Sequence, residues 1–105
     1  MKTYHVFLSD DAKKDLRRYT DYLKKDKKNP QAAKNILIDY HDTRKKLEIV
    51  AGSLKESESE AVKSRGLKRL NFLRHDYFLL FKIEENNVIV TNIFHSLEDF
   101  ENKLN

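Results

Sequence analysis

The chain has 105 residues, with six Phe, five Tyr, two Gly and one Pro, 39% hydrophobic and 36% charged. That is the size of one domain spanning 1–105, with apolar material for a core, too many aromatics for a disordered chain and too few breakers for a turn-dense all-β fold. The absence of cysteine excludes disulfides and thiolate metal sites, and the net charge of +4 favours a polyanion or an acidic protein as partner.

The opening Met1-Lys2-Thr3-Tyr4-His5 lacks the long apolar stretch of a signal peptide, and the longest apolar run, Tyr77 to Phe81, is far short of a membrane span. A cytoplasmic protein without membrane contact is the expectation. Tyr4-His5-Val6-Phe7-Leu8 is rich in aromatic and β-branched residues and predicts a strand. Ser9, Asp10 and Asp11 then start a helix, because their oxygens accept the free N–H groups of a first turn. Ala12, Leu16, Tyr19 and Leu23 recur at helical spacing, with Lys13, Lys14, Arg17 and Arg18 on other faces. The stretch from Lys24 to Lys28 is too polar to bury and is expected to end the helix. Asn29 as N-cap and Pro30 at the first helical position restart it. Ala33, Ile36 or Leu37, Tyr40, Leu47 and Val50 carry this second helix to about Val50 or Leu54, completing a helical hairpin.

From Lys55 to Ser64 the chain is acidic and serine-rich and predicts a mobile loop. After Gly66 the period changes to two, with Leu70 and Phe72 in a strand between Leu67 and Leu73, and His75-Asp76 as a turn. Tyr77 to Ile83 is apolar on both faces and predicts a central strand. Glu85-Asn86-Asn87 is a hairpin turn, and Val88 to Phe94 the next strand. Ser96 and Asp99 have capping-box-like spacing at the start of a short final helix holding Phe100 and Leu104. The fold class is therefore α+β: β-α-α-β-β-β, a small antiparallel-rich sheet packed on an N-terminal helical hairpin, with a C-terminal helical turn and the other sheet face partly open.

Glycine-rich phosphate loops, metal-binding His/Cys spacings and nucleophile elbows are absent from the sequence, so no cofactor and no metal is expected. Lys63, Arg65, Lys68, Arg69 and Arg74 instead cluster along the first hairpin strand, either to hold phosphates or as a solvated strand surface. His95 closes the last strand, as a proton-transfer group or as a structural hydrogen-bonding residue. Tyr77 is placed to stack on a base or to fill the core. Glu98 and Asp99 most simply favour the final helix's N-terminus.

In order and spacing these segments resemble the RelE/ParE toxin superfamily of type II toxin–antitoxin systems, over nearly the whole chain. The resemblance rests on Tyr4-x-Val6-x-Leu8-Ser9-x-x-Ala12-x-x-Asp15-Leu16, Asp21-Tyr22-Leu23, Asn29-Pro30-x-Ala32-Ala33 and Gly66-x-x-Arg69-Leu70. It extends through Asp76-Tyr77-Phe78-Leu79-Leu80-Phe81-Lys82-Ile83 to Val88-x-Val90-x-x-Ile93-Phe94-His95-x-x-x-Asp99-Phe100-Glu101.

The resemblance implies a cognate antitoxin with an acidic wrapping segment that covers Arg69–Arg74, and one of two modes of growth arrest. One branch cleaves mRNA, commonly on the ribosome, through attack by the 2′-hydroxyl. Here Arg69 and Arg74 would clamp the phosphate, His95 would act as acid or base, and Lys63, Arg65, Lys68 and Tyr77 would hold the RNA. The other branch, ParE-like and non-enzymatic, poisons DNA gyrase. A third alternative is a binding module of the same fold without toxicity. Endoribonuclease action is the leading expectation, although Phe78, Leu97 and Phe100 stand where nuclease members often carry Arg, Arg and Tyr.

Overall fold

A computed structural model describes residues 3–104. Strand β1 (His5–Leu8) leads into helices α1 (Asp10–Asp21), α2 (Pro30–Val50) and α3 (Glu60–Lys63). Strands β2 (Lys68–Asn71), β3 (Tyr77–Glu84) and β4 (Asn87–His95) follow, and helix α4 (Phe100–Lys103) closes the chain. The α+β class and the succession of elements along the chain expected from the sequence hold, with α3 added.

Both long helices begin where the sequence places them. Ser9 Oγ accepts the Ala12 N–H at 3.1 Å, and Asn29 Oδ1 accepts the Ala32 N–H at 3.0 Å, each satisfying a donor that has no intrahelical partner. The lysine-rich link departs from expectation. The chain winds on through a π-helical turn over Tyr22–Asp26 before Lys28 adopts a left-handed φ of 49°. Lys24, Lys25, Lys27 and Lys28 are all exposed there, so water meets their polarity while the backbone remains wound.

The sheet order is β1-β4-β3-β2, with β1 parallel to β4 and the other pairs antiparallel. Leu80 pairs with Asn92 but Phe81 with Val90, leaving Thr91 as an extra residue in β4. Helix α1 secures this bulge. Ser9 Oγ donates to the Thr91 carbonyl at 3.0 Å, and the Ile93 N–H donates to the Asp15 carboxylate at 3.0 Å. Burial nevertheless raises the Asp15 carboxyl above its ordinary range.

On the helix side of the sheet, Ile36, Tyr40 and Leu47 of α2 pack with Leu79, Phe81 and Ile93. Complete burial of such a side chain contributes roughly 1.5–3 kcal/mol. The second face, expected partly open, carries its own apolar cluster: Val62, Leu67, Phe78, Leu80 and Phe94, with Phe100 and Leu104 packed against it. That cluster explains two differences from the sequence reading. The acidic segment from Lys55 to Ser64 contains α3, since Ser59 caps the Val62 N–H at 3.4 Å and Val62 is fully buried. The last helix begins at Phe100, with Asp99 in the N-cap position but making no side-chain cap bond. Ser96 therefore does not start it.

Gly66, just after α3, has a φ of +70° and nothing within 4 Å of an added Cβ. Gly66→Ala is expected to cost only left-handed backbone strain, about 1 kcal/mol. This would appear as a lower urea midpoint at unchanged slope, whereas a loss above about 3 kcal/mol would refute a purely conformational role.

Candidate functional site

Where β3 begins and β4 ends, Tyr77 and His95 are cross-strand partners, their ring centroids 4.9 Å apart at 83°. Tyr19 of α1 meets the Tyr77 ring edge-on at 5.0 Å. The carboxylate of Glu98 binds this cluster together, accepting hydrogen bonds from the Tyr19 hydroxyl, the His95 N–H (2.9 Å) and the Lys103 ammonium. Burial by itself would raise the Glu98 carboxyl, but these donors and the Arg18 charge outweigh it and hold the group below its ordinary value. His95 Nδ1 accepts the Leu97 N–H at 3.1 Å, so the neutral ring carries its proton on Nε2. Burial, with Tyr22 nearby, pushes the Tyr77 hydroxyl up. Arg18, Tyr19, Tyr22, Tyr77, His95 and Glu98 together line a cavity of about 290 Å³.

The turn between β2 and β3 is organised by a different carboxylate. Asp39 of α2 is fully buried and accepts the N–H groups of Leu73 (3.1 Å), Arg74 (3.0 Å) and His75 (2.9 Å). His75 Nδ1 lies 2.7 Å from the same carboxylate. Burial pushes this carboxyl up, yet the His75 ring and the two N–H groups of Arg74 and His75 bring it below its ordinary value. The Arg74 guanidinium is held by Asp42 at 2.9 Å and Asp39 at 3.6 Å.

Arg69 occupies a third environment. Its guanidinium sits 3.7 Å from the Phe78 ring centroid, its Nε–H donates to Asn71 at 2.9 Å, and burial lowers its pKa. Successive strand residues point to opposite faces, so Phe78 and the Arg69 above it lie across the sheet from Tyr77 and His95. Lys63 pairs with Glu56 at 3.7 Å, the Arg65 guanidinium donates to the Ala61 carbonyl at 2.8 Å, and Lys68 opens β2 half-buried. Of the residues expected to act on RNA, the fold brings Tyr77 to His95, sets Arg74 along a separate cavity that it shares with Tyr77 and Ser96, and places Arg69, Lys63, Arg65 and Lys68 elsewhere. No group of three or more His, Cys, Asp or Glu side chains suited to a metal occurs among the described residues.

The model of one family, the ParE toxin of type II toxin–antitoxin system, parDE, matches residues 6–100. The chain belongs to the ParE toxin family. Its partner is accordingly an antitoxin protein. Among solved structures, the chain is similar in fold to one described as the chromosomal ParDE TA system from P. aeruginosa. The TM-score is 0.71 at 20% identity, covering 89% of this chain and 96% of that one, so the likeness is one of fold. No curated protein sequence matches significantly. No helix among the described residues is long and apolar enough to cross a membrane.

Sequence reasoning missed two organising residues of this ParE toxin. Glu98 read as a helix-start acid, but it is turned back onto Tyr19 and His95. Asp39 carried no signal within α2, and its partners are 34 to 36 residues away in sequence. Tyr19 and Tyr22, three apart on one helical face, were the one local signal of the cavity.

Proposed function

We propose that this ParE toxin arrests growth by binding DNA gyrase without chemistry, the alternative reading of the sequence, rather than by cutting mRNA. The observation that carries this reading is the dispersal of the cations. Cleavage by a 2′-hydroxyl needs positive charge gathered around one phosphate close to a proton-transfer group. Arg69 lies across the sheet from His95, and the Arg74 guanidinium is turned to Asp39 and Asp42 of α2. What remains beside His95 is three tyrosines, Arg18 and a carboxylate already engaged by several donors. The family match supports the same branch.

The antitoxin is proposed to reach the Arg69–Arg74 region with an acidic extended segment. Strand β2 is an outer strand of the sheet and borders a groove of about 630 Å³ whose lining includes Lys46, Lys55 and Arg69 as well as Glu56 and Glu58. A partner strand could pair with its backbone there.

Tightly controlled expression in a bacterial host tests the target. Growth arrest with a DNA-damage response, unchanged RNA ends, and inhibition of supercoiling by purified gyrase are expected, and His95→Ala and Arg69→Ala should remain toxic. New RNA ends that disappear in His95→Ala would establish the nuclease instead.

A further inference from the structure

The cavity at the end of α1 has no part in the gyrase reading, and its chemistry points elsewhere. Its walls are the rings of Tyr19, Tyr22, Tyr77 and His95. Tyr22 is 47% exposed and begins the π-helical turn, an insertion that often marks a functional position. Neither the Tyr22 nor the Tyr77 hydroxyl has a hydrogen-bond partner among the described residues, although Tyr77 is half-buried. The Arg18 guanidinium lies 4.8 Å from the Tyr19 ring centroid and pairs with Asp15 at 3.5 Å and Glu98 at 3.9 Å, while the Lys27 ammonium, outside the lining, lies 5.7 Å from the Tyr22 ring centroid. Glu98, the one carboxylate in the lining, is engaged by the Tyr19 hydroxyl, the His95 N–H and the Lys103 ammonium.

We propose that this cavity binds a nucleotide, its base among the Tyr22, Tyr77 and His95 rings and its phosphate at the Arg18 guanidinium, with Lys27 beside Tyr22 at the rim. Aromatic rings beside cations provide stacking together with backbone charge neutralisation, the combination that single-stranded nucleic acids require. The base edge meets three groups able to hydrogen-bond, the two free hydroxyls and His95 Nε2–H. Other occupants fit less well. A cationic side chain would meet Arg18 and Lys27 already over the rings. An apolar side chain would leave the Tyr77 hydroxyl half-buried without a partner, and an acidic side chain would use the cations but not the rings. The proposal is one of binding alone. It does not depend on gyrase being the target.

A free nucleotide and a single strand present the same base and phosphate, so both are measured. The full chain is titrated with AMP by calorimetry, and with fluorescein-labelled RNA and DNA hexamers by anisotropy. Saturable binding of either class is expected, weakened about tenfold or more by Tyr22→Leu, an exposed position where the substitution leaves the fold intact. Arg18→Gln should flatten the hexamer's salt dependence by about one phosphate contact. Binding of AMP alone assigns the site to free nucleotides, and of hexamers to a strand; either supports the proposal. No binding of either class, or binding indifferent to both substitutions, overturns it. So does poly-glutamate binding that is lost in Arg18→Gln while nucleotides do not bind, which would mark the cavity as a dock for an acidic protein.

Discussion

Asp39→Ala is expected to lower stability by about 4 kcal/mol, because it deprives three N–H groups of the β2–β3 turn and the His75 ring of their common, fully buried acceptor. At roughly 4–8 °C per kcal/mol for a domain of this size, the melting temperature falls by about 20 °C. The substitution also leaves Arg74 with Asp42 alone, and frees the turn that leads into Tyr77. Asp39→Asn, which keeps one acceptor oxygen but no charge, should lose about half as much. The carboxyl's folded pKa lies below its ordinary value, so the unfolded chain binds its proton first as pH falls. Its stabilisation is complete above the unfolded value, about 3.9, and is lost as pH drops through the folded one. Thermal melts of both proteins at pH 7 should differ widely and converge toward pH 2. A pH 7 difference under about 1 kcal/mol would falsify the role assigned to Asp39.

Phe78→Arg introduces the residue that nuclease members of the superfamily often carry here, and it is expected to cost about 4–5 kcal/mol without creating an RNA-cleaving site. Phe78 is fully buried, its ring 5.0 Å from Phe100 and 5.9 Å from Phe94, with Arg69 stacked on it. An arginine there loses the aromatic contacts and sets a second guanidinium beside the first, among Val62, Leu67 and Leu80. That loss approaches the whole stability of a marginal domain. Phe78→Leu, apolar and nearer in volume, should lose only about 1.5 kcal/mol. Urea unfolding of the two variants, with an RNA-cleavage assay on the arginine form, measures both effects. Wild-type stability in Phe78→Arg, or new cleavage by it, would mean that this face is a polar groove and not a second core.

Period and capping alone located most of the backbone. Ser9 and Asn29 start helices where their side chains can accept first-turn donors, and the alternation of Leu70 and Phe72 marks β2. Such signals are local, since donor, acceptor and burial pattern all lie within a few residues of one another. Helix α3 was hidden because one apolar residue, Val62, carries its packing inside a charged stretch. The π-helical turn was hidden as well, because exposed lysines are compatible with either a wound or an open backbone.

Sequence by itself determined the α+β class, the starts of the two long helices, the succession of strands along the chain and, through the order of its motifs, the superfamily. Tertiary structure alone decided which side chains meet. Strand alternation sends Arg69 and Tyr77 to opposite faces, and only the paired register shows that the sheet then separates Arg69 from His95. Asp39, 36 residues from His75, and Glu98, 79 residues from Tyr19, take their partners from distant elements. Such contacts depend on how α1 and α2 lie across the sheet, and helical or strand periodicity within one element carries no record of that docking.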